Sequence, residues 1–159
     1  MSKKNIKVTH QQLEELRQSH IGKLFLQAHR NFSLKAIKKL RLQGHENLGL
    51  SHTGLLANLD IQGTNMITLA TRMGISKQAV GKLAKELEDK GYVQITADPD
   101  DKRATRLIYT KMGDQFLYDA HQIKQEIETE YTAILGKKNM ETLRALLKKL
   151  LTQSGSSEF

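Results

Sequence analysis

Apolar residues recur every three or four positions over most of this 159-residue chain, which predicts a mainly helical protein. The first such stretch runs over residues 10–41 without a proline and indicates one long helix, with a bend near residues 31–33. A second long helix is predicted from its N-cap, Thr110, to about residue 135. A final helix, capped by Asn139, carries a leucine stripe that is wide for one short helix.

Two shorter apolar-periodic segments meet at Gly74 in the middle of the chain. Asn65 precedes the first segment and Ser76 the second, and both residue types cap helices well. Gly74 takes a positive φ at little cost, so the turn between the segments can be short. The pattern predicts a helix-turn-helix, preceded by a short helix over residues 52–60 with Ser51 as its N-cap.

Strict alternation of apolar and polar residues occurs only after this helix pair. Residues 92–96 alternate like a strand, residues 106–109 are predicted to be the partner strand, and the charged segment ADPDDKRAT joins them as a hairpin. Residues 61–64 are predicted to pair briefly as a further strand. We therefore expect a mainly α protein with a small β-hairpin wing, an α+β winged helix-turn-helix, between N- and C-terminal helical regions.

The predicted organisation has four parts. An arm and long helix occupy residues 1–45, the winged lobe residues 46–110, and the C-terminal helices residues 111–153. Residues 154–159, SGSSEF, are interpreted as a disordered tail or an expression scar. The leucine stripe of the last helix either docks on its own subunit or forms a homodimer, and the unpartnered N-terminal arm favours the homodimer.

Charge and residue usage narrow the classes of partner. The formal net charge of +8 favours an anionic partner, either nucleic acid or an anionic membrane surface. The absence of cysteine excludes disulfides, thiol-based redox sensing and thiolate metal sites. The six histidines lack close ligand spacing, so neither a metal nor another cofactor is expected. No apolar run is long enough for a membrane span, and we expect a cytoplasmic protein without a membrane partner.

The outward face of the second short helix carries long donors. When its apolar residues face inward, Lys77, Gln78, Gly81, Lys82 and Lys85 lie on the opposite side, where lysine and glutamine reach phosphates and base edges. Gly81 is an unfavourable residue inside a helix and costs up to ~1 kcal/mol relative to alanine. Either DNA approaches the backbone at Gly81, or the glycine is tolerated because the long helices pack there.

The hairpin tip places Asp101 two residues before Arg103. In an extended loop the carboxylate can hold the guanidinium at a fixed angle, and an oriented arginine can enter a narrow minor groove. The alternative is that DPDDKR is a solvated charged turn.

With these motifs in order, the chain resembles a MarR-family winged helix-turn-helix regulator. The match covers about residues 51–113, and the long helices on either side fit the dimerisation region of the family by length and order. It is carried by Leu69-Ala70, Gly74-Ile75-Ser76-Lys77-Gln78-Ala79-Val80, Leu87-Glu88-Asp89-Lys90-Gly91-Tyr92-Val93, Asp98-Pro99-Asp100-Asp101-Lys102-Arg103-Ala104 and Tyr109-Thr110-Lys111-Met112-Gly113. The resemblance implies a homodimeric repressor that binds a pseudopalindromic operator in double-stranded DNA, often released by a small-molecule effector.

The resemblance also assigns DNA contacts by position. Recognition-helix contacts in the major groove would come from Ser76, Lys77, Gln78 and Lys82, with Lys85 at the edge of the set. Arg103 would enter the minor groove, oriented by Asp101. Phosphate contacts would come from Ser51, His52, Thr53, Lys102 and Arg106.

The sequence gives weaker signals for an effector-binding site than for the DNA contacts. His20, Lys23 and Gln27 lie at helical spacing and could meet an anionic ligand, although such residues also occur simply on helix surfaces.

No phosphate loop, nucleophile elbow, HExxH motif or catalytic cysteine is present, so we expect no enzyme. The alternative to a regulator is an architectural or sequence-tolerant DNA-binding protein without an effector.

Overall fold

The computed structural model describes residues 8–99 and 104–153 of the chain. The chain divides into a unit that ends at Leu34 and a unit that begins at Lys35. In chain order the elements are α1 (His10–Ser19), α2 (Ile21–Leu42), α3 (Leu50–Asn58), β1 (Thr64–Asn65), α4 (Met66–Met73), α5 (Lys77–Asp89), β2 (Val93–Ala97), β3 (Thr105–Tyr109), α6 (Lys111–Leu135) and α7 (Lys137–Gln153).

The first long helix is interrupted at His20 and not near residues 31–33, so the predicted position of the bend was wrong. Thr9 and Gln12 form a capping box at the start of α1. His20 then adopts an extended conformation, and its Nδ1 accepts a hydrogen bond from the backbone N–H of Lys23 at 3.3 Å. The imidazole thereby caps the start of α2, a local interaction that apolar periodicity cannot reveal.

The helix-turn-helix forms as its local signals predicted. The side chain of Asn65 accepts from the N–H of Thr68 and caps α4, and that of Ser76 accepts from Ala79 and caps α5. Gly74, with φ of 63°, ends α4 in the left-handed region and allows the short turn.

The preceding helix begins earlier than predicted. Gly49 is the N-cap of α3, so Ser51 lies inside the first turn and does not cap the helix. His52, the third residue of the helix, reaches back to the N-cap, where its Nδ1 accepts the N–H of Gly49 at 3.0 Å.

Three antiparallel strands form the wing and its base, in the order β1-β3-β2. Thr64 of β1 lies opposite Leu107 of β3, and Ile95 of β2 lies opposite the same leucine on the other side. This confirms the predicted hairpin and the short extra strand, with β2 at the edge of the sheet.

The two C-terminal helices, α6 and α7, follow the sheet. Thr110 caps α6 as predicted, and its hydroxyl also donates to the carbonyl of Gly91 at 2.5 Å. Gly136 ends α6 as predicted, but α7 begins directly at Lys137. The predicted capping role of Asn139 was therefore wrong, since its amide donates to the carbonyl of Leu135.

A lack of side chain at Gly113 lets α6 begin against the end of the helix-turn-helix. A Cβ at this position would collide with the carbonyl oxygen of Tyr92 and with the ring of Tyr109. The start of α6 is thus held close to the residue that links α5 to β2.

The core of the second unit is formed mainly by the winged lobe. Its fully buried side chains include Leu55, Leu56, Leu69, Val80, Leu87, Leu107, Ile123 and Ile127. A buried polar chain crosses this core: His45 contacts the Tyr92 hydroxyl through Nδ1 at 2.9 Å and the Asp119 carboxylate through Nε2 at 3.0 Å. Gln115 donates to the other oxygen of Asp119 at 2.9 Å, so both carboxylate oxygens have partners.

Within the described ranges 8–99 and 104–153, no helix combines the length and the apolar character needed to cross a bilayer.

Candidate nucleic-acid interface

The outward face of α5 is exposed while its inward face is fixed in the core. Val80, Ala84 and Leu87 are buried, and this anchors one side of the helix. The opposite side presents Ser76, Lys77, Gln78 and Lys82, all of which are exposed. The structure therefore brings together four of the predicted major-groove residues on one accessible helix face.

The lysines of this face differ in their electrostatic environment. Within the described part of the chain, Lys77 and Lys82 form no ion pair, so their ammonium groups remain available to an external anion. Lys85 pairs with Glu88 at 3.0 Å and with Asp89 at 3.2 Å. The hydrogen bond that Lys85 donates to Glu88, followed by the one that it donates to Asp89, raises the pKa of Lys85 above its ordinary value. Lys77 and Lys82 are thus freer cations than Lys85.

Gly81 lies on the same helix with open space beside it. A Cβ built on Gly81 would meet no atom of the described residues within 4 Å. Packing against the protein therefore does not account for this glycine. Close approach of DNA to the backbone at Gly81 stays a prediction.

The start of α3 lies beside α5 because His52 joins them. His52 Nε2 donates to Glu86 Oε2 at 2.8 Å, while Nδ1 accepts from the N–H of Gly49. Both ring nitrogens are used inside the protein, and the hydrogen bond from His52 lowers the pKa of Glu86. Ser51 is exposed and Thr53 donates to the carbonyl of Leu50 at 3.0 Å.

The wing contributes one described candidate and three that lie outside the described residues. Arg106 on β3 lies between Asn65 of β1 and Thr96 of β2 and is half-buried. Asp101, Lys102 and Arg103 lie in the segment that the structure does not describe. Their predicted roles at the wing tip stay predictions.

Two acidic residues on α5 were missed by the sequence analysis. Glu86 accepts a hydrogen bond from the ring of His52. Glu88 accepts a hydrogen bond from the backbone N–H of Ile95 in the wing at 2.9 Å and forms an ion pair with Lys85. Both belong to a helix face that helical periodicity had marked only as non-apolar. The pairing of Glu88 could have been suspected from its position on the last turn before a hairpin.

The predicted effector residues lie in the first unit. His20 and Gln27 are exposed and Lys23 is half-buried, and the N–H of Lys23 donates to both the ring Nδ1 and the carbonyl oxygen of His20. A recess of about 670 Å³ lies elsewhere, on α6, and is lined by Gln125, Glu128, Thr129, Thr132 and Ala133. None of the predicted ligand residues lines that recess, so the effector site stays a prediction.

Among the residues that the structure describes, no cluster of three or more histidine, aspartate or glutamate side chains has the arrangement of a metal site.

The chain is similar in sequence to known proteins. The sequence profile of the MarR family matches residues 46–104. A curated relative from Thauera aromatica, named a putative transcriptional regulatory protein for the hcr operon, is 28% identical over 95 residues. The matched stretch is 60% of this chain and spans 57% of that relative, a little over half its length.

Solved structures show the same fold over most of the chain. Wild-type MarR from E. coli in its apo form is 22% identical, with a TM-score of 0.69 over 83% of this chain and 96% of that one. A mutant MarR from E. coli complexed with operator DNA gives 0.66 at 22% identity, over 82% and 93%. YusO from Bacillus subtilis gives 0.60 at 23% identity, over 91% and 99%. These similarities confirm the predicted fold class.

Proposed function

We propose that the chain is a transcriptional regulator of the MarR family, which binds a pseudopalindromic operator in double-stranded DNA as a homodimer and represses transcription. Members of this family are transcriptional regulators and not enzymes. A regulator of this kind would work in the cytoplasm, beside the chromosome. The observation that carries the proposal is the exposed donor face of α5, which is anchored behind by buried Val80, Ala84 and Leu87.

The recognition helix would lie in the major groove. Its N-terminal residues Ser76, Lys77 and Gln78 and the central Lys82 are exposed together, and side chains of these types contact phosphates and base edges. Gly81 on the same helix leaves room for the DNA backbone. Lys85 would contribute less, because two carboxylates already hold its ammonium group.

Phosphate contacts would flank the recognition helix. The first turn of α3, with Ser51, His52 and Thr53, presents backbone N–H groups at a helix start, where anions bind favourably. His52 would act by keeping this turn beside α5, since both of its ring nitrogens are engaged. Arg106 would supply a phosphate contact from the sheet.

The wing tip would enter the minor groove. By the family resemblance, Arg103 would occupy that groove, Asp101 would orient the guanidinium, and Lys102 would contact a phosphate. The solved complex of a MarR protein with operator DNA supports the proposal that this fold engages a duplex.

Two subunits would place their recognition helices in successive major grooves, about 34 Å apart on one face of the duplex. Support for the homodimer comes from the exposed leucines of α7, none of which is buried within the chain. An effector that releases the DNA is the remaining part of the family-based proposal, with His20, Lys23 and Gln27 as candidate contacts.

Selection of bound fragments from a random-sequence duplex library with the purified protein tests this function. We expect enrichment of two inverted half-sites whose centres lie about 10 base pairs apart. Enrichment of no common sequence, with binding governed by DNA length alone, would support the architectural alternative and reject the regulator.

A further inference from the structure

Glu88 lies on the recognition helix but faces the wing. Its Oε1 accepts a hydrogen bond from the backbone N–H of Ile95 at 2.9 Å, and its Oε2 receives Lys85 Nζ at 3.0 Å. We propose that Glu88 is a positioning residue that fixes the angle between the recognition helix and the wing, and thereby sets operator affinity. This inference rests on the proposed function, because the angle matters only if helix and wing engage one duplex.

The register of the hairpin explains why the N–H of Ile95 is free to bind Glu88. The N–H of Asp98 donates to the carbonyl of Ala104, and the N–H of Thr110 donates to the carbonyl of Tyr92. Antiparallel strands alternate between bonded and non-bonded pairs, so Gln94 and Thr96, which lie in step with these two bonds, direct their backbone polar groups towards β3. Ile95 falls between them, and its N–H points outward from the edge of the sheet.

An outward N–H on an edge strand normally bonds to water or to another chain. Here the carboxylate of Glu88 satisfies it, with a side chain that is only 29% exposed. The hydrogen bond from Ile95, followed by that from Lys85, lowers the pKa of Glu88, so the carboxylate is ionised at neutral pH. A bond between a charged acceptor and an N–H is stronger and more directional than a neutral one.

Apolar packing alone would leave the angle less well defined. Leu87 and Val93 are buried at the junction of α5 and β2, but burial of apolar surface has no preferred direction. The bond to Ile95 is made at the middle of β2, away from the covalent link through Lys90 and Gly91. It therefore restrains rotation of the hairpin about its base.

Asp89 provides a matched comparison within the same turn. Its Oδ1 lies 3.2 Å from Lys85 Nζ, so it shares the lysine and carries the same charge as Glu88. Among the described residues, Asp89 has no hydrogen bond or ion pair with β2. Removing either acid leaves Lys85 with the other one, and each removal makes the DNA-facing helix less negative by one charge.

The experiment compares Glu88→Ala, Glu88→Gln and Asp89→Ala for binding to the duplex that the wild-type protein selects from a random library. Anisotropy is measured well below the unfolding temperature of the least stable variant. We expect Glu88→Ala to weaken binding about tenfold, because it loses a charge-assisted bond. Asp89→Ala should bind as the wild type or slightly tighter, because it only removes a negative charge. Glu88→Gln keeps an oxygen acceptor and should resemble Asp89→Ala.

Equal affinities of Glu88→Ala and Asp89→Ala would overturn the inference, as would a loss in Glu88→Gln as large as that in Glu88→Ala. A second measurement separates this outcome from failure of the proposed function. In the free wild-type protein, the amide proton shift of Ile95 should follow the acid titration of Glu88, and this response should vanish in Glu88→Ala. A protein that selects no sequence but shows this titration would reject the regulator and keep the contact, whereas an Ile95 amide insensitive to pH would reject the contact itself.

Discussion

The winged lobe and the C-terminal helix α7 both contain many leucines, but these leucines differ in how deeply they are buried. In the lobe, Leu55, Leu69 and Leu107 are completely buried. In α7, Leu146 is 59% and Leu150 49% exposed, and no residue of the helix is buried. The lobe thus completes its core within one chain, whereas α7 leaves a continuous apolar stripe that a stable monomer would not expose.

This contrast separates two tasks. A lobe with its own core can hold an exposed polar helix face in a fixed geometry, which recognition of DNA requires. The apolar face of α7 is exposed within one chain, and in the proposed homodimer a second copy of the chain would cover it by two-fold symmetry.

Replacement of His45 by alanine tests whether the core that the lobe shares with α6 is stabilised by contacts within one chain. It leaves the Asp119 carboxylate and the Tyr92 hydroxyl without their shared partner in a buried site, and we expect a loss of about 3 kcal/mol in the free energy of unfolding. Urea denaturation followed by circular dichroism measures it. His121→Ala is the control, since His121 is exposed on α6. A loss below about 1 kcal/mol would show that the buried chain contributes little.

Replacement of Leu146 and Leu150 by aspartate tests the exposed stripe. Two charges in an apolar interface should raise the dissociation constant of a homodimer by about 100-fold or more, while the circular dichroism of the lobe persists. Light scattering over a concentration series measures the assembly. Thr152→Asp adds charge on the opposite side of α7 and should leave the assembly intact. A wild-type protein that is monomeric at micromolar concentration would contradict the dimer outright.

Lys82 and Lys85 test the electrostatic difference within the recognition helix. Lys82→Ala should weaken binding about tenfold and reduce the slope of log affinity against log salt by about one per half-site, because a free cation that neutralises a phosphate is lost. Lys85→Ala should have a smaller effect, since Glu88 and Asp89 already neutralise its charge. Anisotropy titrations at several salt concentrations distinguish them. Equal losses in both variants would show that these ion pairs open on binding.

Gly81→Ala tests whether space beside the recognition helix is used. Alanine favours the helix and meets no described atom, so the variant should be more stable by up to ~1 kcal/mol. If DNA approaches the backbone at Gly81, the same variant should bind the selected duplex several-fold more weakly. Thermal unfolding and anisotropy on one preparation give both values. A stabilised variant with unchanged affinity would exclude close approach at this residue.

Local signals account for most of what the sequence predicted. The caps at Asn65, Ser76 and Thr110 and the left-handed turn at Gly74 depend on a few neighbouring residues, and all four were predicted correctly. The break at His20 was missed because an imidazole capped the helix in place of a more common residue.

Contacts between segments that are distant in the chain could not be predicted from the sequence. His45 and Asp119 are 74 residues apart, and nothing in their surroundings marks them as a pair. His52 was expected to face phosphate, whereas the fold directs its ring to Glu86 on another helix. The donor face of α5 was predictable because helical periodicity determines it, but the roles of Glu86 and Glu88 depend on where α3 and β2 lie.

The ratio of the affinities for two DNA duplexes tests whether the protein is a sequence-specific regulator. The duplex selected by the wild-type protein and a scrambled duplex of the same length and composition are titrated by anisotropy at physiological salt. We expect the selected duplex to bind at least about 10³-fold more tightly than the scrambled one, because a sequence-specific regulator discriminates by about this factor. Affinities that agree within a few-fold would contradict it, because a basic protein that only neutralises phosphates does not distinguish the two.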